Sequence, residues 1–240
     1  MKRPKSHPKV KTSHDKESPA VKKKISPLPP GFFQPACVDA FRALARAVPV
    51  GGYIVEVGAH LGRSLGTIMP TCIERDINVY AVDIWEPYKN NAGVVPPWIA
   101  VPQRYEKFQK HMEKRGWWDH LTALKMRSEE GAEQFSPESV DLIHIDGAHD
   151  VASVTRDIGY WWPILKPGGV MVGHDIKNPQ VLQAVKMYFD VHDTSMLGGI
   201  VDYRIPTTDG WKRTAGGKMW KAVKAKEPAD EPCADCPGTK

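Results

Sequence analysis

Short apolar runs alternate with stretches of helical periodicity, and this alternation limits the folds open to the chain more than any other feature. The runs are YIVEV (53–57), NVYAVD (78–83), LTALKM (121–126), VDLIHID (140–146) and GVMVGHD (169–175). Between them lie helix-like segments: RSLGTIMPTCIE (63–74), QRYEKFQKHMEKR (103–115), the repeat Val151, Val154, Ile158, Trp161/Trp162, Leu165, and PQVLQAVKMYFDV (179–191). Continuously apolar strands joined by helices imply a mostly parallel sheet covered on both faces. GIVDYRI and KMWKAV near the end read as an antiparallel hairpin. The expectation is an α/β, Rossmann-like, doubly wound fold with a seven-stranded sheet and a C-terminal antiparallel hairpin. The motif LKPGG is expected to end the third helix with Pro and Gly.

Charge and composition divide the chain. Residues 1–30 carry nine Lys/Arg against Asp15 and Glu17, a net of +7, whereas the whole chain is +5, which leaves −2 for residues 31–240. Residues 1–30 are also proline-rich and poor in apolar side chains, so a disordered basic tail is expected. Residues 226–240 read as a second disordered tail, and their lone Cys-x-x-Cys lacks the second ligand pair of a zinc site. Residues 31–225 are the expected domain. Within it, residues 84–102 (IWEPYKNNAGVVPPWIAVP) exceed the usual connection length and are read as a flap over a substrate. No apolar run approaches the roughly 18 residues of a membrane helix, and no secretory signal is visible. Four cysteines are too few for a disulfide scaffold and suit a cytoplasmic protein.

IVEVGAHLGRS follows the first strand and opens the first helix. Gly58 and Gly62 allow a sharp turn and close approach of a ligand, and the helix N-terminus behind them favours an anionic group. Asp83 ends the second strand 25 residues after Gly58. A carboxylate there can accept both hydroxyls of a ribose. The pair reads as a nucleoside site, although Glu-x-Gly-x-x-x-Gly is not the dinucleotide pattern.

Asp146 and Asp175 each close an apolar strand. Adjacent parallel strands lie about 4.8 Å apart, so the two carboxylates would emerge side by side and raise one another's pKa. A divalent cation such as Mg²⁺, which prefers oxygen ligands, removes the conflict. It can hold an acceptor hydroxyl and favour its ionised form. His149, three residues after Asp146, is then placed to take the proton. His174 adjoins Asp175, but strand alternation is expected to send it to the opposite face. His144, in mid-strand, is expected to be a core residue.

IVEVGAHLGRS, VYAVDIW and VDLIHIDGAHDVASVTRDIGYWWPILKPGGVMVGHD resemble class I S-adenosylmethionine-dependent methyltransferases, in particular the macrocin O-methyltransferase-like group that acts on small molecules and sugars. The resemblance covers about residues 50–205. It implies S-adenosyl-L-methionine as cofactor, with Glu56 and Gly58 against its methionine end and Asp83 on its ribose. Ser128 would lie near the adenine, with Trp85 packed on it. It further implies an Asp–metal–Asp site at Asp146 and Asp175 with a histidine base at His149. Metal-dependent relatives often carry another Asp or Asn after the second aspartate, where this chain has Ile176. The expected activity is methyl transfer to a hydroxyl of a small molecule. Two alternatives stand beside it: a nucleic-acid-associated methyltransferase that uses the basic tail, and a non-catalytic nucleoside-binding module.

Overall fold

The computed structural model describes residues 27–89, 93–97, 99–191, 200–202 and 219–224. The expected basic tail up to residue 26 and the segment 226–240 lie outside the described residues. A seven-stranded sheet runs in the order β3-β2-β1-β4-β5-β7-β6. Its strands are β1 (Tyr53–Val57), β2 (Asn78–Asp83), β3 (Leu121–Lys125), β4 (Val140–Ile145), β5 (Leu165–Gly173), β6 (Ile200–Asp202) and β7 (Trp220–Val223). The first five pair in parallel, and β7 pairs antiparallel with both β5 and β6. This is the expected doubly wound sheet with its C-terminal hairpin. None of the described helices is long and apolar enough to cross a membrane.

The period-two pattern of the strands divides the core in two. Val55 and Val57 of β1 and Ile143 and Ile145 of β4 join one cluster; it also holds Ile158 and Trp161 of α5 (Val151–Trp161) and Val185 and Phe189 of α6 (Pro179–Val191). Ile54 and Leu142, on the other face, join Phe41 of α1 (Pro35–Ala47), Leu65 and Ile68 of α2 (Arg63–Glu74) and Phe108 of α3 (Arg104–Glu113). Each face thus buries a continuous apolar surface, the main favourable contribution to such a fold.

Helix α1 is absent from the expectation above. Its signal is present as Cys37, Phe41, Ala45 and Val48, all buried at helical spacing. It begins with Pro at its first turn and no side-chain cap, which leaves little punctuation to see. A second difference concerns LKPGG: Leu165–Gly169 does not end a helix but opens β5. Val140 pairs with Leu165 while Leu142 pairs with Val170, so the strand carries a bulge there.

Candidate active site

A cavity of about 720 Å³ opens at the C-terminal ends of β1, β2, β4 and β5, where doubly wound sheets bind ligands. Gly58, Asp83, Ser128, Asp146, His149 and Asp175 all line it. The loop after β1 forms its floor. Gly58 has φ 91°, and a Cβ there would collide with the carbonyl oxygen of Asp146. The glycine therefore permits close approach of the β4 exit as well as the turn. Gly62, at φ 84°, is the N-cap of α2 and leads its first turn toward the cavity without lining it.

Asp83 ends β2 with both carboxylate oxygens engaged. Oδ2 accepts from the His60 backbone N–H at 2.9 Å and Oδ1 from the Trp85 N–H at 2.6 Å. The buried Arg104 guanidinium stands 4.0 Å away. Each oxygen keeps a second lone pair for a ligand hydroxyl, so Asp83 remains competent for the expected role.

Two expected cofactor contacts are placed elsewhere. Trp85 has φ 48°, which breaks strand alternation and turns its indole away from the cavity. The ring packs on Phe108 and Tyr105, and Nε1–H donates to the His60 carbonyl at 2.7 Å. Trp85 thus supports the glycine loop from behind. Glu56 is fully buried on the α1/α2 face of β1. It stands in register with His144 of β4. Its Oε1 accepts from the Ser64 hydroxyl and lies 2.9 Å from His144 Nδ1. Glu56 meets the cavity through Ser64, which lines it, and its carboxylate comes within 4.8 Å of Asp146. His144 is the buried residue the sequence suggests, packed against Phe33 and Phe41.

At the other end of the cavity the strand-terminal acids converge with two histidines. Oxygen or nitrogen atoms of Asp146, His149 and Asp175 all come within 4.8 Å of one another. His149 Nε2 lies 3.4 Å from Asp175 and 3.8 Å from Asp146. Hydrogen bonding to Asp146 is the largest influence on His149 and raises its pKa; the charges of Asp146 and Asp175 add to this, against burial and the His174 charge. His174 also belongs to the cluster. Its Nδ1 lies 3.1 Å from Asp175 and 3.7 Å from Asp146. Asp175 has φ 56°, so the strand geometry ends there and the two neighbouring side chains meet. Burial disfavours a charged His174. Hydrogen bonds to Asp175 and Cys37, with the charges of both aspartates, outweigh it and push His174 up to about 10. The cluster therefore holds its own cation. Ile176, where relatives carry a further acid, is buried in the apolar core and supplies no donor.

Part of the sequence and the fold as a whole match known proteins. Residues 55–176, half of the chain, match the family model described as a methyltransferase domain. The chain belongs to this family. It therefore carries a methyltransferase domain, on a doubly wound fold shared with solved methyltransferases. Similar folds include a protein from Corynebacterium glutamicum (TM-score 0.57, 16% identity, 84% of each chain covered). An O-methyltransferase from Bacillus cereus, solved in complex with S-adenosylhomocysteine, has TM-score 0.54 and 15% identity over 82% of this chain and 84% of that chain. An S-adenosylmethionine-dependent O-methyltransferase from Thermotoga maritima has TM-score 0.53 and 17% identity over 80% and 66%. In sequence, the uncharacterized protein y4gI of Sinorhizobium fredii (strain NBRC 101917 / NGR234) is 29% identical over 153 residues. That match covers 59% of this chain but 16% of y4gI, so the chain spans a small part of that relative.

Proposed function

We propose that this chain transfers the methyl group of S-adenosylmethionine to a hydroxyl of a small molecule, such as a sugar, with a divalent cation held by Asp146 and Asp175 and with His149 as general base. The convergence of these three residues at one end of the cavity carries the proposal. Solved relatives of this fold that are themselves O-methyltransferases support it.

The two carboxylates suit a hard cation, with the remaining positions open to water and acceptor oxygen, while His149 stays free of the ion to act on the proton. When bound, the cofactor supplies an electrophilic methyl on a sulfonium and the cation supplies Lewis acidity. Asp83 would hold the ribose from the far side. Asp146 and Asp175 set the position of the acceptor oxygen. His149 Nε2, beside both, takes the hydroxyl proton at the moment of attack. Water exclusion and alignment by the cavity walls supply the rest; well-oriented groups contribute up to roughly 7–11 kcal/mol.

A second reading has an observation of its own. His174, held in its charged form by both aspartates, can balance the carboxylates without a metal. His149 would then act as base with an aspartate to orient it. Transfer assays in EDTA separate the two: loss of transfer with cofactor binding retained supports the metal, and full activity supports His174.

We further propose that residues 84–102 close over the acceptor and that the acceptor, not nucleic acid, is the partner. Tyr88 and Ile99 of this segment already line the cavity, and Arg104 donates to the Glu86 carbonyl at 2.7 Å, pinning its base. A cytoplasmic setting is consistent with the two described cysteines, both free and buried.

A further inference from the structure

Ahead of α1, residues 27–34 form a strap with no helix or strand of its own, held against α2 and α3. Arg63, the first residue of α2, donates from Nε to the Phe33 carbonyl and from Nη1 to the Pro29 carbonyl, both at 3.0 Å. Arg115, just past α3, donates to the Pro27 carbonyl. Pro29 is buried, and a Cβ on Gly66 of α2 would stand 2.9 Å from its Cδ. Between the two carbonyls that Arg63 holds, Gly31 has no room for a side chain: a Cβ there would stand 2.8 Å from Arg63 Cβ. The backbone of Pro29–Phe33 is therefore pinned at both ends and packed in the middle.

Two neighbouring phenylalanines on this strap differ sharply in burial. Phe33 is buried, packed on Phe41 and His144, with its ring centroid 5.4 Å from that of His174. Phe32 is 73% exposed, the highest value for a large apolar side chain among the described residues. It lines the cavity. Adjacent Cα atoms are about 3.8 Å apart, so Phe32 stands one residue from the ring that packs on His174, the histidine beside Asp146 and Asp175. A single exposed apolar side chain is ordinary on a free surface. This one is carried by a pinned backbone, on a cavity wall, beside the acid cluster. Another part of the wall is charged: Arg127 and Glu129, at the start of α4 (Ser128–Ala132), pair at 2.9 Å. A phenyl ring offers a flat apolar face and no hydrogen bond, and it favours a second ring laid against that face.

We infer that Phe32 stacks on the ring face of a cyclic acceptor and so presents a hydroxyl at that ring's edge to Asp146, Asp175 and His149. The inference rests on the acceptor hydroxyl lying at those three residues, as proposed above, and it narrows the acceptor class to hydroxylated rings. The C–H face of a pyranose and the π face of a phenol offer the same contact. An open-chain polyol carries the same hydroxyls without a face.

The test is the rate of labelled-methyl transfer from S-adenosylmethionine by the full chain, with Mg²⁺, to a panel of pyranosides, a panel of phenols, and the open-chain polyols sorbitol and glycerol. Wild type should use at least one ring compound with a KM about 10-fold or more below that of either polyol, and the panel that responds identifies the ring. Phe32→Ala should raise that KM by about 10-fold, the scale of one lost ring contact, with kcat and the calorimetric Kd of S-adenosylhomocysteine within about twofold. Phe32→Tyr should restore the KM. Val50→Ser, at a position 71% exposed and outside the cavity lining, should leave every value unchanged. Thermal melting of each variant should match wild type. Polyols used as well as rings, or an unchanged ring KM in Phe32→Ala, overturns the inference while hydroxyl methylation stands. A change of oligomeric state in Phe32→Ala, by sedimentation, with KM unchanged assigns the ring to a contact between copies and overturns it too. Transfer to no member of the panel removes the small-molecule reading, and the inference falls with it.

Discussion

His149 and Asp157 illustrate opposite uses of a titratable side chain. For His149, replacement by Ala is expected to lower kcat by roughly 10²–10⁴-fold if proton removal limits turnover. Cofactor affinity, measured by calorimetry, should stay within about threefold, because the imidazole sits at the acceptor end of the cavity. An unchanged kcat would remove His149 as the base. For Asp157, burial raises the folded-state pKa from 3.8 to about 6. Between those values the folded chain keeps a proton that the unfolded chain loses. Stability therefore falls as pH rises through that window and stays lower above it, by up to about 3 kcal/mol. Asp157→Asn removes this contribution. Denaturant melts of both proteins at pH 4 and pH 7.5 should show the wild type losing ground against the variant at the higher pH. Parallel pH dependence would contradict the burial argument. Asp83, Asp146 and Asp175 were legible in the sequence because an acid closing an apolar strand stands out, and His149 by its place three residues after Asp146. His174 and Trp85 were not. Each side chain's place depends on a left-handed backbone, at Asp175 and at Trp85 itself, and neither residue type advertises that conformation.

Among the elements, the loop between β1 and α2 is the least tolerant of change. Gly58→Ala should cost several kcal/mol, since the new Cβ meets backbone of the β4 exit and not a movable side chain. A thermal melt checks this; a variant as stable as wild type would show that the two loops can separate. The segment after β2 should behave differently. Deleting residues 90–98 is expected to raise acceptor KM more than cofactor Kd, because Asp83 and the glycine loop remain; unaltered acceptor kinetics would rule out a flap. Most strand and helix identities were readable from periodicity, since both cores obey it; α1 and the start of β5 were the exceptions. The pairing of Glu56 with His144 was not. Those residues are 88 positions apart, and only the β1–β4 register brings them together. Without it, Glu56 looks like a ligand contact and not a buried support for Ser64.

At the scale of the molecule, the sheet order sets the chemistry. Placing β1 between β2 and β4 sets Asp83 on one side of the glycine loop and Asp146 on the other, and β5 then delivers Asp175 beside Asp146. The two proposed ends, one for the nucleoside and one for the acceptor, open on the same cavity. The most direct measurement is transfer of a labelled methyl group from S-adenosylmethionine to a panel of sugars, phenols and nucleic acids, with and without EDTA. The account predicts label on the oxygen of a hydroxylated small molecule, abolished by EDTA and by Asp175→Asn while S-adenosylmethionine still binds. Label on nucleic acid alone, or full transfer to the small molecule in EDTA, would contradict it.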